Sequence, residues 1–179
     1  MPTIKINNKQ FQNIQIIICD KDGTLIDFDT MWGNWIKNWI DRVIEETTSV
    51  HLLEVKKLTR NLDRTLGFDR PNFKVIPESP VAVSTIEKIC TVAMAVLYQE
   101  GLAWHAAESI IGKIAAEPLI MTEEMVKPLG DVKGTFERWI AAGIKVIIAT
   151  SDDRSAAVAA TEIMQVHDLI TEYYCGDDP

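Results

Sequence analysis

Two carboxylates, Asp20 and Asp22, lie one lysine apart in CDKDGTLIDFD (19–29), directly after the apolar run Ile16-Ile17-Ile18-Cys19. Residues two apart on an extended backbone face the same side, so the pair can address one point where a strand stops, with Gly23 supplying the turn. Like charges this close are costly unless a cation neutralises them or one carboxyl is protonated. Open α/β sheets place their sites at the carboxyl ends of strands, and a hard divalent cation such as Mg2+ suits oxygen ligands of this kind. The competing reading of two aspartates alone is a solvated turn with an Asx-type cap. Lys21, between the acids, is expected by alternation to point away from both.

The surrounding pattern says which elements must position these residues. Residues 3–13 alternate around Asn7-Asn8 and predict a short hairpin or edge strand. Residues 14–19 read as a buried parallel strand, β-branched and too short for a helix. Met31, Trp32, Trp35, Ile36, Trp39, Ile40, Val43 and Ile44 then recur at helical spacing, with Asp29 or Thr30 placed to cap. The tryptophan stripe is assigned to core packing. A second helix is predicted over 52–62, followed by a turn-rich stretch from Gly67 to Pro80. Ser84 with Glu87 forms a capping-box pattern that opens a helix ending before Gly101, and a further helix covers Trp104 to Glu117. From 27 to about 128 the chain reads as helical throughout. After Pro128 the period changes: a helix over 132–142, a strand over 144–150, a helix over 153–167 and a strand over 170–176. That succession is a βαβ unit with a parallel sheet and a right-handed crossover.

Composition narrows the function classes. The 179 residues are 47% hydrophobic and 25% charged, enough for one ordinary core plus a small accessory lobe. Lys and Arg number 18 against 26 Asp and Glu, and this formal charge of -8 disfavours a partner bound through a phosphate backbone. No nucleic acid is expected. Cys19, Cys90 and Cys175 are far apart and lack metal-ligand spacing, which fits a reducing cytoplasm. No apolar run approaches the roughly 20 residues that span a bilayer, and no leader pattern opens the chain, so a cytoplasmic protein without a membrane partner is expected.

DKDGTLID resembles the first motif of the haloacid dehalogenase superfamily, Asp-x-Asp-Gly-Thr-Leu after an apolar strand. KVIIATSDDR is similar to the second, an apolar strand ending in Thr or Ser, at Thr150. The longer run LGDVKGTFERWIAAGIKVIIATSDDR is similar to phosphoglycolate-phosphatase-like members. The resemblance implies an α/β fold: a Rossmann-like parallel-sheet core from 1–26 and 129–179, with an all-helical cap, 27–128, inserted after the first motif. It also implies a Mg2+-dependent phosphatase acting on a small phosphorylated metabolite, phosphoglycolate-like or a phosphosugar, with a mutase as a related outcome. Asp20 is then the nucleophile that forms an aspartyl-phosphate, and Asp22 the general acid and base. Asp20 and Asp22 hold the metal, Asp22 through its backbone carbonyl. Gly23, Thr24, Thr150 and Ser151 form the phosphate site, helped by N–H groups near Gly23 and at the start of the helix after Ser151. For Thr24, fixing the turn and touching substrate are equally open. Cys19 is assigned as a small hydrophobe despite its place beside the nucleophile.

Two departures from the family pattern bear on activity. No lysine follows Lys145, whereas the family carries one, commonly as Lys-Pro, to steady the transferring phosphate. CGDDP (175–179) only superficially resembles the later acidic motif. The expectation is a core cut short at its carboxyl end, with an impaired remnant serving as a binding or assembly module as the alternative to the enzyme. It further implies that residues 14–19 form an unprotected sheet edge, to be covered either by the chain's own TIKI strand (3–6) or, the favoured expectation, by the same edge of a second copy.

Overall fold

The computed structural model describes residues 2–51 and 53–179. In chain order its elements begin with strands β1 (Thr3–Ile6), β2 (Lys9–Gln12) and β3 (Ile16–Cys19), then helices α1 (Phe28–Val50) and α2 (Val55–Leu66). Strands β4 (Phe68–Asp69) and β5 (Lys74–Val75) precede helices α3 (Pro80–Val83), α4 (Ile86–Gln99), α5 (Trp104–Ala115) and α6 (Val132–Ala141). Strand β6 (Lys145–Ala149), helix α7 (Arg154–Ile163), a 3-10 turn at His167–Leu169 and strand β7 (Glu172–Tyr174) complete the order. The chain divides into two compact units: Met1–Asp27 with Ile120–Pro179, and Phe28–Leu119.

The first unit is α/β. Its sheet has the order β3-β6-β7, all parallel, with Ile16 opposite Lys145 and Cys19 opposite Ile148, while Ile147 to Ala149 face Glu172 to Tyr174. Side by side in this register, Ile17, Cys19, Val146, Ile148 and Tyr173 share one face. Helix α7 covers that face, where Thr161 Oγ1 and Tyr173 Oη lie 2.7 Å apart. The opposite face carries Ile16, Ile18 and Tyr174, and Ile18 is 66% exposed. The expectation of a fully buried strand therefore fails at Ile16 and Ile18, which are exposed, while Cys19 is buried and Ile17 partly so. Strand β3 is also the edge of this sheet. β1 pairs with β2 as an antiparallel hairpin, Ile6 opposite Lys9, instead of extending the sheet. Asn7, at φ +52°, makes the two-residue turn; Asn is among the few non-glycine residues that adopt this conformation readily. The chain leaves this unit and returns to it through adjacent segments: Asp27 N–H donates to Lys127 O and Leu129 N–H to Leu25 O, both at 2.8 Å.

The second unit packs helices on helices. Ile36, Ile40 and Val43 of α1, Leu58, Leu62 and Leu66 of α2, Leu97 of α4 and Ile111 of α5 are buried at three- and four-residue spacing. Helix α1 packs on α2 and α5, and α4 on both α2 and α5. Trp35 and Trp39 are buried with their rings stacked at 6.1 Å, as core packing requires. Helix α2 ends at Gly67, whose φ of +88° and place against Ser79 leave no room for a Cβ.

Several boundaries differ from the sequence reading. Helix α1 starts at Phe28 and continues to Val50, six residues past Ile44, because Arg42 pairs with Glu45 and Glu46 and the Thr47 and Thr48 hydroxyls bond back to Val43 and Ile44 carbonyls. Asp29 does not cap this helix; its carboxylate accepts the Val75 N–H at 2.9 Å. The predicted start at Leu52 lies outside the described residues, and α2 begins at Val55. The cap of α4 is Thr85, which accepts from Lys88 N–H, while Ser84 closes α3. The segment read as helical throughout contains the β4–β5 hairpin, whose two-residue strands are too short to show alternation. Among the described residues, no helix is long and apolar enough to cross a membrane.

Leu62 is fully buried at the centre of the helical unit. Leu62→Ala should lower unfolding stability by about 2–5 kcal/mol, read as a lower urea midpoint with little change in slope.

Candidate active site

Strands β3 and β6 are parallel neighbours, so the residues that follow them emerge at the same end of the sheet. Asp20 follows β3 and sits level with Ala149, and Thr150 follows β6. Between Lys21 and Ile26 the chain closes a tight turn: Gly23, at φ +78°, donates to Ile26 O at 2.8 Å, and Lys21 O accepts from Leu25 and Ile26 N–H at 2.9 and 3.1 Å. Asp20 is exposed, and its Oδ2 accepts the Thr24 hydroxyl at 2.9 Å. Thr24 thus orients the carboxylate, one of the two roles left open for it.

Lys21 corrects the alternation argument. Its side chain is fully buried, and Nζ lies 2.5 Å from Asp22 Oδ1 and 2.8 Å from Asp152 Oδ2, in the turn after β6. Strand β3 ends at Cys19, so two-residue periodicity does not carry on to Lys21. Asp22 is 14% exposed and Asp152 10%. The ammonium therefore joins the two turns that carry the predicted site residues. A lysine in a strand-end motif gives no sequence signal for this, since its partner lies 131 positions away.

The phosphate-site residues divide. Thr150 donates its N–H to Tyr174 O at 2.9 Å, and its hydroxyl oxygen accepts from Asp152 N–H at 3.3 Å, leaving the hydroxyl proton to donate outward. Ser151 is exposed. The N–H of Gly23 and the hydroxyl of Thr24, in contrast, are committed inside the first turn. At the start of α7 the Arg154 N–H donates to Asp177 Oδ1 at 2.8 Å, so that helix terminus already holds a carboxylate. Asp178 accepts from Cys175 N–H at 2.8 Å and from Arg154 Nη2 at 2.6 Å. These bonds make the acidic pair of CGDDP a brace for α7. Burial, reinforced by the charge of Asp20, pushes the Cys19 thiol up, which keeps it protonated and unreactive beside the candidate nucleophile.

For a divalent cation, the Asp20 carboxylate and the Asp22 backbone carbonyl are hard oxygens at one turn. Mg2+ commonly takes one or two protein carboxylates and keeps several waters, so this donor set fits it. The Asp22 carboxylate itself faces the Lys21 ammonium. No cluster of three or more His, Cys, Asp or Glu residues able to hold a metal occurs among the described residues.

Comparisons with known proteins identify the family. A family model described as a haloacid dehalogenase-like hydrolase matches residues 14–179. The chain belongs to the haloacid dehalogenase-like hydrolases. A search of curated proteins finds no match. Among solved structures, a predicted phosphoglycolate phosphatase from Haemophilus somnus 129pt aligns at 16% identity and a TM-score of 0.50, over 93% of this chain and 64% of that one. A subfamily IA, variant 1, hydrolase of the superfamily from Geobacter sulfurreducens PCA aligns at 11% identity and a TM-score of 0.51, over 93% and 66%. At these identities the likeness shows the fold, and the chain spans somewhat less than two thirds of the length of either structure.

Two predictions follow from how the turn after β6 is held. A Cβ at Gly176 would lie 2.2 Å from Ser151 O. Gly176→Ala should therefore displace the Thr150–Asp152 turn and cost about 1–3 kcal/mol of stability, seen as a lower urea midpoint and shifted amide resonances for residues 150–153. The Cys175 N–H, followed by Arg154, holds the Asp178 carboxyl below the usual range. A depressed carboxyl contributes stability above its unfolded value, about 3.9, and loses it as pH falls through the folded value. Asp178→Asn should accordingly lower Tm at neutral pH, and the gap should close in acid below that range.

Proposed function

We propose that this chain carries the catalytic core of a Mg2+-dependent phosphatase that hydrolyses a small phosphorylated metabolite, such as phosphoglycolate or a phosphosugar, through an aspartyl-phosphate. The observation that carries the reading is the exposed Asp20 carboxylate, held by the Thr24 hydroxyl at the strand end beside Thr150. An exposed, oriented carboxylate is what in-line attack on phosphorus needs. Asp22 takes up a proton before the step; Asp20 attacks, the bond to the leaving alkoxide breaks, and Asp22 delivers that proton to the departing oxygen. Asp22 then accepts a proton from the water that cleaves the acyl-phosphate, which releases phosphate and restores both acids. The Thr150 hydroxyl and Ser151 stabilise charge on the phosphoryl oxygens. The Asp20 carboxylate and the Asp22 carbonyl would hold Mg2+, which when bound would supply positive charge for the acids and the phosphoryl group. The helical unit Phe28–Leu119 serves as the cap that selects the leaving group.

A second reading, a catalytically impaired binding or assembly module, is favoured by the commitment of the Gly23 and Arg154 N–H groups inside the chain. Turnover separates the two. With 4-nitrophenyl phosphate, hydrolysis should require Mg2+ and stop on chelation. Asp20→Asn should abolish it, and Asp22→Asn should slow it by about 10²- to 10⁴-fold with circular dichroism unchanged. Full activity in Asp20→Asn would remove the nucleophile assignment; a folded wild type without turnover would favour the binding module.

A further inference from the structure

The buried Lys21 side chain is the least expected feature of the site. A fully buried position at a strand end ordinarily takes an apolar residue, and lysine is seldom buried unless paired. Here the ammonium sits between two carboxylates, Asp22 Oδ1 at 2.5 Å and Asp152 Oδ2 at 2.8 Å. Asp152 Oδ2 is itself buried and has no aligned hydrogen bond, so the ammonium is what offsets its charge. Breaking such a pair is costly, whereas replacing it with packed apolar residues is often neutral. Such a pair adds little net stability over an apolar filling, which points to a role besides stability.

The connections around Lys21 indicate that role. Its carbonyl is the hub of the first turn, accepting from Leu25 and Ile26 N–H, and its ammonium reaches the second turn through Asp152. Asp152 in turn donates its N–H to the Thr150 hydroxyl and accepts the Gly176 N–H at 2.8 Å. Because the ammonium is fully buried, it meets no substrate; it acts through Asp22. We propose that Lys21 is a positioning residue that fixes the Asp22 carboxyl against the turn after β6, so that proton delivery to the leaving group depends on Lys21. This rests on the phosphatase reading, and it adds a residue to that machinery.

The test compares two substrates with the full chain. 2,4-Dinitrophenolate departs without a proton, whereas phenolate gains strongly from one. Lys21→Met should lose at least about 10-fold more kcat/KM, which reports the leaving-group step and not the hydrolysis common to both, on phenyl phosphate than on 2,4-dinitrophenyl phosphate, a part of the range that acid–base help supplies. Lys21→Met with Asp152→Leu removes the unpaired charge as well, and should regain Tm without regaining the phenyl phosphate rate. Equal losses on the two substrates, or recovery of that rate in the double variant, would reduce Lys21 to a structural part and overturn the proposal. Should the single variant fail to fold, the double variant carries the same comparison. A folded wild type that hydrolyses neither substrate would defeat the phosphatase reading, and amide hydrogen exchange would then test the clamp by itself. Lys21→Met, or the double variant in its place, and Asp152→Asn should each speed exchange in both turns, 22–26 and 150–153. Faster exchange confined to the turn that bears the substitution would overturn the clamp.

Discussion

The parallel pairing of β3 with β6 is the constraint on which the site depends. With Cys19 opposite Ile148, the residues that follow the two strands reach the same end of the sheet, and the 2.8 Å pair between Lys21 and Asp152 can form. A slip of one residue would exchange the faces of β3, moving Ile17 and Cys19 into solvent. The β6–β7 pairing adds a second restraint of the same kind: it sets the Tyr174 carbonyl to accept the Thr150 N–H and brings the turn at 175–178 against Ser151. The site is thus a consequence of strand register, and the turns only finish what the register begins.

Electrostatics accounts for what the turns then do. Asp20, Asp22, Asp152 and Asp153 stand at one end of a sheet in a chain whose formal charge is -8. Each acid near the strand ends is handled differently. Asp20 stays exposed and accepts one hydroxyl; Asp22 and Asp152 share a buried ammonium; Asp177 and Asp178 are bound by the backbone and guanidinium of Arg154. Separating the carboxylates in this way leaves Asp20, like Asp153, exposed, and Asp20 is the one that the Thr24 hydroxyl orients. That is the condition a nucleophile must meet.

Much of this was legible in the sequence, for local reasons. Asp20, Gly23 and Thr24 belong to one short turn, and their bonds span no more than four residues. The hairpin at Asn7, the parallel strands and the apolar stripes of α1, α2, α4 and α5 follow from periods of two and of about 3.6, which a sequence displays directly. What was missed depends on pairing at a distance. Lys21 was expected to point away from both acids because alternation was carried past the end of β3 and Asp152 is brought near only by the sheet, and the Asp29 carboxylate looked like a cap because Val75 N–H is far along the chain. The exposed Ile16 and Ile18 were read as buried because periodicity reports how apolar a strand is, while burial depends on what covers it.

A nucleophilic carboxylate must be both accessible and still, and ordinarily these oppose one another, since an exposed side chain keeps its rotamers. For Asp20 in its proposed role, the conflict is met by an ordered backbone around it and a side chain left outside. Leu25 and Ile26 are buried, their N–H groups close on the Lys21 carbonyl, and Lys21 is itself buried with its ammonium anchored across the sheet. The Thr24 hydroxyl, four residues on, can then hold Asp20 Oδ2 from a backbone that is already ordered. Rigidity is thus supplied from beneath, by the residues between Asp20 and Ile26, and the exposed carboxylate gives up only the freedom that one hydrogen bond removes. The same logic explains why a cation belongs at position 21: an apolar side chain there would fill the space but would join neither Asp22 nor the turn after β6.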